Sequence, residues 1–158
     1  MNWHDLFYIE NDVLYNKVDR GGGAAPGGVA GYVNAKGYLQ VTVDFKGYYV
    51  HRIIYEMRHG KIPDGMQVDH IDHNKTNNAD ENHRLVTCRQ NQMNRPMQKN
   101  NTSGSTGVTF DKRRGKWQAR ININGVNKHL GYFTDIEEAI KSRRDAEEIF
   151  GFHKNHGK

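Results

Sequence analysis

Apolar and polar positions alternate over short stretches of the chain, and this pattern predicts small sheets with few helices. Residues 38–50 alternate in two sets, one polar or aromatic and one apolar, which predicts a β-hairpin with its turn at Lys46-Gly47. The apolar spacing that follows predicts a short helix over residues 51–58. The buried side of that helix would carry Ile53, Ile54 and Met57.

The segment before this hairpin is less regular. Residues 1–19 predict a helical turn followed by one strand at Val13–Tyr15. Residues 21–31 are rich in glycine and predict a turn-rich connector. A phosphate-binding P-loop is excluded there, because no lysine and hydroxyl pair follows the glycines.

An Asn- and Asp-rich loop lies between two short apolar runs in the middle of the chain. The first run, Met66–Val68, predicts a strand that ends at Asp69-His70, and Leu85–Val86 predicts a second strand. Asn and Asp side chains bond their own backbone in turns, which suits residues 72–82 to the loop between them.

A short helix is predicted after the second strand. Thr87-Cys88-Arg89-Gln90 has the spacing of a capping box, so the helix should begin there, with Asn91 in its first turn. Pro96 should end it, because proline has no N–H to donate. The order strand, loop, strand, helix brings Asp69, His70 and Asn91 towards one point.

Such a set of side chains suits phosphodiester hydrolysis. Carboxylate and amide oxygens are ligands for Mg²⁺, which can offset charge on a phosphate. A neutral histidine can take a proton from the attacking water. The alternative is a polar loop whose residues only make turns; it is favoured for any one of these residues alone, whereas the complete set favours a site.

This combination resembles a known signature. Asp69-His70, Asn82 twelve residues after that histidine and Asn91 nine residues further on are similar to the motif of HNH endonucleases, of the phage and group I intron homing type. The resemblance implies a ββα-metal fold, one Mg²⁺ (or Mn²⁺) held by Asp69 and Asn91, and His70 as the general base. It also implies that Asn82 ties the loop to the strands and so orients His70.

The resemblance continues upstream through GYVNAKGYLQVTVDFKGYYVHRIIYEMRHGKIPDG and covers most of residues 1–98. Two positions depart from the family pattern: His73 stands where glycine is frequent, and His83 stands where a leucine normally packs. His51 and Arg52 are predicted to contact DNA backbone phosphate or to support the active site. His51 could equally be a packed polar residue.

A second pattern begins after a linker at residues 99–106. Three strands are predicted, with Asn124-Gly125 as a hairpin turn, and a helix follows from a second capping box at Thr134–Glu137. The strands span residues 107–111, 116–124 and 127–133. Side chains assigned to the core are Trp117, Ala119, Ile121 and Ile123 of the sheet and Ile136, Ala139, Ile140, Ile149 and Phe150 of the helix, which Gly151 ends.

Charge separates this sheet from its helix. Residues 101–134 contain six Lys and Arg against one Asp, whereas residues 135–150 contain three against six Asp and Glu. A basic sheet with an acidic helix behind it is typical of a sheet that faces phosphate.

The same segment resembles the AP2 domain in GVTFDKRRGKWQARI, HLGYF and EEAIKSRRDAEEIFG. That family lays its three-stranded sheet in the DNA major groove. The resemblance implies DNA contacts by Thr109, Arg113, Arg114, Gln118, Arg120, Asn122 and Lys128.

Composition agrees with a DNA-binding protein and narrows its class. The net charge of +5 and the pI near 9.3 favour a polyanionic partner. The single cysteine, Cys88, excludes an internal disulfide and a multi-cysteine zinc ribbon, so we expect no structural zinc. No apolar run reaches the ~20 residues that span a bilayer, so we expect no membrane association and a cytoplasmic location, in the host cell if the chain is phage-encoded.

We therefore predict an α+β chain: a ββα-metal HNH nuclease domain at residues 1–98, with its catalytic core at 66–96, and an AP2-like domain of three strands and one helix at 107–152. The predicted function is hydrolysis of double-stranded DNA by a monomeric, site-specific, metal-dependent homing endonuclease that needs no small-molecule cofactor. The alternatives are a DNA-binding regulator with an inactive HNH fold, an RNA-binding protein, and a structural zinc protein that uses His70, His73 and His83.

Overall fold

The computed structural model describes residues 1–93, 97–154 and 156–157. The chain forms two compact units, Met1–Cys88 and Arg89–Lys158. This division lies ahead of residue 98, the predicted end of the nuclease domain. The domain limits given above stay predictions. The predicted helix end at Pro96 lies outside the described residues.

The first unit begins with a β-hairpin, of which the sequence pattern predicted only the second strand. A 3-10 turn at Trp3–Asp5 precedes β1 (Phe7–Glu10) and β2 (Val13–Asn16), which pair antiparallel. The prediction of a single strand was wrong, since β1 is a second strand that pairs with β2 over four residues. Its Phe7 is buried against Leu14 of β2 in the core of this unit.

A three-stranded antiparallel sheet follows, in the order β3-β4-β5. Its strands are β3 (Tyr32–Val33), β4 (Leu39–Val43) and β5 (Lys46–Tyr49). The turn between β4 and β5 is at Asp44-Phe45, both with positive φ, since Val43 pairs with Lys46. The predicted turn at Lys46-Gly47 is therefore wrong by two residues.

Helix α1 (Val50–His59) closes the core of the first unit. Ile53 and Ile54 are buried, as predicted, in one cluster with Phe7, Leu14 and Val41. This cluster packs the N-terminal hairpin and the β4–β5 sheet against α1, so the first residues of α1 have a fixed place. His51 is among them.

The predicted catalytic segment contains both expected strands. β6 (Met66–His70) and β7 (His83–Thr87) pair antiparallel, with Asp69 opposite Arg84 and His70 opposite His83. The loop between them ends in a 3-10 turn at Asp80–Asn82, and α2 (Cys88–Gln92) begins directly after β7.

The second unit contains an antiparallel sheet in the order β10-β9-β8 and one helix. Its elements are β8 (Val108–Asp111), β9 (Lys116–Ile123), β10 (Val126–Phe133) and α3 (Ile136–Ile149). Asn124 and Gly125 have positive φ and make the predicted hairpin turn. The three strands and the helix agree with the prediction, and the likeness to an AP2 domain stays a prediction.

Helix α3 differs from its prediction in its cap and in its buried stripe. Asp135, and not Thr134, is the N-cap, and its side chain accepts a hydrogen bond from the N–H of Glu137. Ile149 is 77% exposed, so its assignment to the core was wrong. At about 100° per residue it lies roughly 100° around the helix from the centre of the stripe.

Arg143 occupies that stripe instead and is 3% exposed. Its Nε donates to the carbonyl of Thr106 at 2.8 Å, its Nη2 lies 3.1 Å from Glu147 Oε1, and its guanidinium stacks on Phe152. Burial lowers the pKa of Arg143, and the Glu147 carboxylate counteracts this. The buried arginine thus ties α3 to chain segments before and after it.

Replacing Arg143 with methionine should lower the free energy of unfolding of the second unit by roughly 3 kcal/mol, because Glu147 and the Thr106 carbonyl lose their partner. Arg144, the next residue, is exposed. Arg144→Met should change stability by no more than about 0.5 kcal/mol. Urea denaturation, followed through the fluorescence of Trp117, measures the stability of both variants. Equal losses of stability in the two variants would show that the buried pair of Arg143 and Glu147 does not stabilise the unit.

Candidate active site

His70 ends β6 and lies in a cluster of buried rings. It is 5% exposed, and its ring centroid lies 4.8 Å from that of His51 and 5.1 Å from that of His83, both edge-on. Tyr38 lies 6.1 Å away on the same side as His51. The proposed general base is therefore held by ring contacts from α1, from β7 and from the loop between β3 and β4.

His51 is the second member of this cluster. It is buried at the start of α1 and stacks on Tyr49 at 5.5 Å. A side chain with this burial does not reach a DNA phosphate in the observed conformation. Of the roles left open above, packing within the site agrees with the structure. Arg52, the next residue, is partly exposed, and its DNA contact stays a prediction.

Burial keeps all three imidazoles neutral near pH 7. Burial and the neighbouring His70 lower the pKa of His51 to about 3 and that of His83 to about 4. Burial also lowers the pKa of His70, although Asn78, Asp72 and Asp69 oppose the shift. A neutral imidazole can accept a proton, which is what a general base requires.

Asn82 fastens the loop that follows His70. Its amide nitrogen donates to Asp72 Oδ1 and to the carbonyl of Asn77, both at 2.9 Å, and its Oδ1 accepts from the N–H of Asp72 at 3.0 Å. Burial raises the pKa of Asp72, but the hydrogen bonds from Asn77, Asn82 and Asn74 outweigh it and lower the pKa overall. An ionised Asp72 and the Asn82 amide thus close the loop on itself.

The loop also contacts His70. Asn78 is buried, and its Oδ1 lies 3.5 Å from His70 Nε2. That distance is at the outer limit of a hydrogen bond, so this contact is weak in the observed conformation. It nevertheless places an amide oxygen beside the ring nitrogen.

Asp69 precedes His70 and points to Arg84 across the strand pair. Nε and Nη2 of Arg84 donate to the same carboxylate oxygen, Oδ2, at 3.1 and 2.9 Å. Both side chains are largely buried. Two charged hydrogen bonds hold this oxygen in place, and such hydrogen bonds are common for metal-ligating carboxylates.

Asn91, the other proposed metal ligand, lies on α2 within the second unit. Among the described residues, no group of three or more His, Cys, Asp or Glu side chains could hold a metal ion. This gives no support to a zinc site on His70, His73 and His83. One carboxylate and one amide oxygen do fit Mg²⁺ or Mn²⁺, which keep several positions for water and phosphate.

Four residues of this site were not predicted from the sequence: Tyr38, Asn78, His83 and Arg84. The signal for His83 and Arg84 was present, because they oppose His70 and Asp69 once β6 and β7 are aligned. Tyr38 and Asn78 come from positions whose distance to His70 depends on the folded loop and sheet.

The predicted DNA contacts of the second unit occupy two faces. Thr109, Gln118, Arg120 and Asn122 share the outer face of the sheet, and Arg113 and Arg114 are exposed in the β8–β9 turn. Lys128 instead pairs with the buried Ile121 and lies over the Phe150 ring at 5.0 Å. Partners in a ladder share a face, so Lys128 lies on the helix side of the sheet, and its DNA contact stays a prediction.

The outer face also contains residues that the sequence pattern missed. His129 pairs with Arg120, Tyr132 pairs with Gln118, and the two aromatic rings lie 4.6 Å apart. The guanidinium of Arg114 lies over the Tyr132 ring at 4.5 Å. The result is a basic surface with aromatic side chains, as nucleic acid requires.

The buried histidines should make the first unit sensitive to acid. The unfolded chain binds protons at the ordinary histidine pKa near 6.5, whereas folded His83 and His51 stay neutral to about pH 4 and about pH 3. Stability should therefore fall as the pH drops below 6.5, by roughly 2 kcal/mol per histidine at pH 5.

The variant His83→Leu should lose less stability between pH 7.5 and pH 5 than the wild type. His4 is exposed, and His4→Leu should keep the wild-type difference. Urea denaturation at both pH values, followed through Trp3 in a Trp117→Phe background, gives the comparison. An unchanged difference in His83→Leu would contradict the assigned cause.

Known proteins are similar to this chain in sequence. The family model described as HNH endonuclease matches residues 48–93. "Uncharacterized HNH endonuclease L560" of Acanthamoeba polyphaga mimivirus is 32% identical over 162 residues, which cover 95% of this chain and 83% of the relative. "Protein 3.8" of Escherichia phage T7 is 37% identical over 90 residues, which cover 57% of this chain and 74% of the relative.

No solved structure is significantly similar to the chain. None of the helices in the described part of the chain has the length and apolar character needed to cross a bilayer. The family match spans β6, β7 and α2 and includes Asp69, His70, Asn82 and Asn91. On this match and on the mimivirus relative, the chain belongs to the HNH endonuclease family.

Proposed function

We propose that this protein is a site-specific, divalent-metal-dependent endonuclease of the homing type, which hydrolyses phosphodiester bonds in duplex DNA. The observation that carries the proposal is a neutral, buried His70 that directly follows Asp69, whose carboxylate oxygen Arg84 holds. Family membership supports nuclease chemistry on DNA. The homing type, the metal dependence and the DNA-binding role of the second unit go beyond family membership and are part of our proposal.

His70 is the general base in this mechanism. Its neutral imidazole takes a proton from the attacking water, and the edge-on rings of His51 and His83 restrict the angle of its plane. Because His51 and His83 both stay neutral, neither adds a charge beside His70 that would compete with the charge of the phosphate. No covalent enzyme intermediate is required.

Asp69 and Asn91 would hold one Mg²⁺ or Mn²⁺. The ion, when bound, offsets negative charge on the scissile phosphate and on the leaving oxygen. Arg84 holds Oδ2 of Asp69, and Asn82 holds the loop that contains Asn78. These two residues act on the geometry of the site and not on the reacting atoms.

The second unit would bind the target DNA through the outer face of its sheet. Arg120 and Asn122 are exposed on the middle strand of that face, and Arg113 and Arg114 extend it at the turn. The acidic residues concentrate on α3, which packs on the opposite face through Ala139 and Ile140. This separation of charge supports a sheet that faces phosphate.

His70→Ala should reduce cleavage by at least the ~10²-fold that loss of a general base produces, and DNA binding should survive. The matched control is His4→Ala, which removes an exposed histidine and should cut at the wild-type rate. Cleavage of a genomic fragment library with Mg²⁺, and binding in EDTA, are the two measurements.

EDTA should stop cleavage by the wild type without unfolding it, as circular dichroism would show. A His70→Ala variant that cuts at the wild-type rate under saturating Mg²⁺ would show that His70 is not the base. A wild type that binds duplex DNA and never cuts would favour the regulator with an inactive HNH fold.

Arg120→Ala should weaken duplex binding by roughly 1–3 kcal/mol and relax sequence preference if Arg120 contacts a base edge. Lys141→Ala, on the exposed side of α3, should change binding little, and so should Lys128→Ala. A salt-titrated binding assay on the full chain compares the three variants. Equal losses for Arg120→Ala and Lys141→Ala would show that the sheet is not the DNA-facing surface.

A further inference from the structure

Phe45, at the tip of the β4–β5 hairpin, combines two unfavourable features. Its side chain is 103% exposed, and its backbone has a φ of +62°. Exposing a phenylalanine forfeits the burial of a large apolar surface, and bulky residues rarely adopt the left-handed region. Glycine or asparagine would make the same turn without either cost.

The other left-handed residues show how unusual this is. Among the described residues, six non-glycine residues have positive φ, and those other than Phe45 are asparagine, aspartate or histidine. Those types tolerate the left-handed region several times more often than others do. Strain of this kind at an exposed residue is a sign of function when stability does not explain it.

Phe45 also forms one wall of a groove of about 540 Å³. The groove lies between the glycine-rich loop at Gly21–Gly23 and the strands β3 and β4. Tyr32 lines it with a second exposed aromatic ring. Two exposed rings beside a groove offer flat surfaces of the kind on which nucleobases stack.

A fixed guanidinium completes the groove. Arg20 donates from Nη1 to the carbonyl of Thr42 at 2.8 Å and from Nη2 to Asn16 Oδ1 at 2.6 Å. Asp44 is the acidic residue among the lining side chains, so the groove contains one positive and one negative charge. Contact there would therefore depend on stacking and not on net charge.

The hairpin leads from this groove to the site. Tyr49 ends β5 and stacks on His51, which in turn contacts His70. Tyr49 lies four positions after Phe45, which is about 13 Å along a strand at 3.3 Å per residue. Duplex DNA rises 3.4 Å per base pair, so this length corresponds to roughly four base pairs.

We infer that Phe45 is a wedge that stacks in an opened base step of duplex DNA, a few base pairs from the phosphate that is cut. The inference rests on the proposed function, since it takes DNA at His70 as given. Apolar wedges that unstack a step bend the duplex, and the stacking contact offsets part of the cost. The exposure and the strain of Phe45 then have one common explanation.

The test compares Phe45→Gly with Asp44→Gly. Both relieve a left-handed residue of the same turn, so both should fold at least as stably as the wild type. The probe is a 30-base-pair alternating A·T duplex with 2-aminopurine in place of some adenines, in EDTA and low salt, because TA steps open readily. The fluorescence of 2-aminopurine rises when a base unstacks.

Phe45→Gly should bind this duplex roughly 5- to 100-fold more weakly than the wild type, the range for one lost base stack. It should not raise the fluorescence, and its dependence on salt should be unchanged, because no cation is removed. Asp44→Gly should bind at least as tightly as the wild type and raise the fluorescence.

The outcomes separate this inference from the proposed function. If the wild type cuts DNA with Mg²⁺ but Phe45→Gly binds as tightly as Asp44→Gly and raises the fluorescence equally, the wedge is wrong and the nuclease stands. If Phe45→Gly binds more weakly and does not raise the 2-aminopurine fluorescence, while the wild type never cuts DNA, the wedge is correct and the nuclease is wrong. A steeper salt dependence in Asp44→Gly alone would point to charge at the tip and overturn the stacking role.

Discussion

The candidate active site of this protein depends on the register of β6 and β7. In the observed pairing Asp69 faces Arg84 and His70 faces His83, so the carboxylate lies opposite an arginine and His70 lies opposite a second imidazole. A slip of one residue would turn every side chain of one strand to the opposite face of the pair. The loop closed by Asn82 sets this register from one end, because the Asn82 carbonyl accepts the N–H of Ile71 and its side chain holds Asp72. The register of the two strands therefore depends on the conformation of the loop between them.

Burying three histidines together carries a cost in stability that the site explains. Among the described residues, Nδ1 of His51 and both ring nitrogens of His83 are buried without a hydrogen-bond partner. Such groups usually cost about 1–3 kcal/mol each, and an apolar side chain in either place would avoid the cost. The imidazoles of His51 and His83 instead provide neutral, polarizable contacts on two sides of His70. The N-terminal hairpin and α1, whose Ile53 and Ile54 are deeply buried, provide the packing that sustains this arrangement.

Local patterns predicted most elements of the fold and fewer of their contacts. The alternation in β9, the Asn124-Gly125 turn and the apolar spacing of α1 are properties of neighbouring residues, and each was predicted within one or two positions. The β4–β5 turn was misplaced because Lys46-Gly47 has turn-like residues, whereas the observed turn follows from cross-strand pairing. The burial of His51 and the position of Lys128 on the helix side likewise depend on elements distant in sequence. The motif residues Asp69, His70 and Asn82 were found because their spacing is itself local, but the ring cluster around His70 is not.

Three residues break the local rules, and they separate into two kinds. Arg143 is a buried charge on an apolar stripe, yet its bonds to Thr106 and Glu147 account for it within the fold. His83 and Phe45 have no such account: one is a buried ring without hydrogen bonds, and the other is an exposed ring on a strained turn. Where local rules fail without a structural gain, function is the usual reason. His83 contacts the proposed base directly, and Phe45 lies at the far end of the hairpin that leads from it. The two exceptions therefore lie at the candidate site and at the hairpin tip of the first unit, the two places at which we propose contact with DNA.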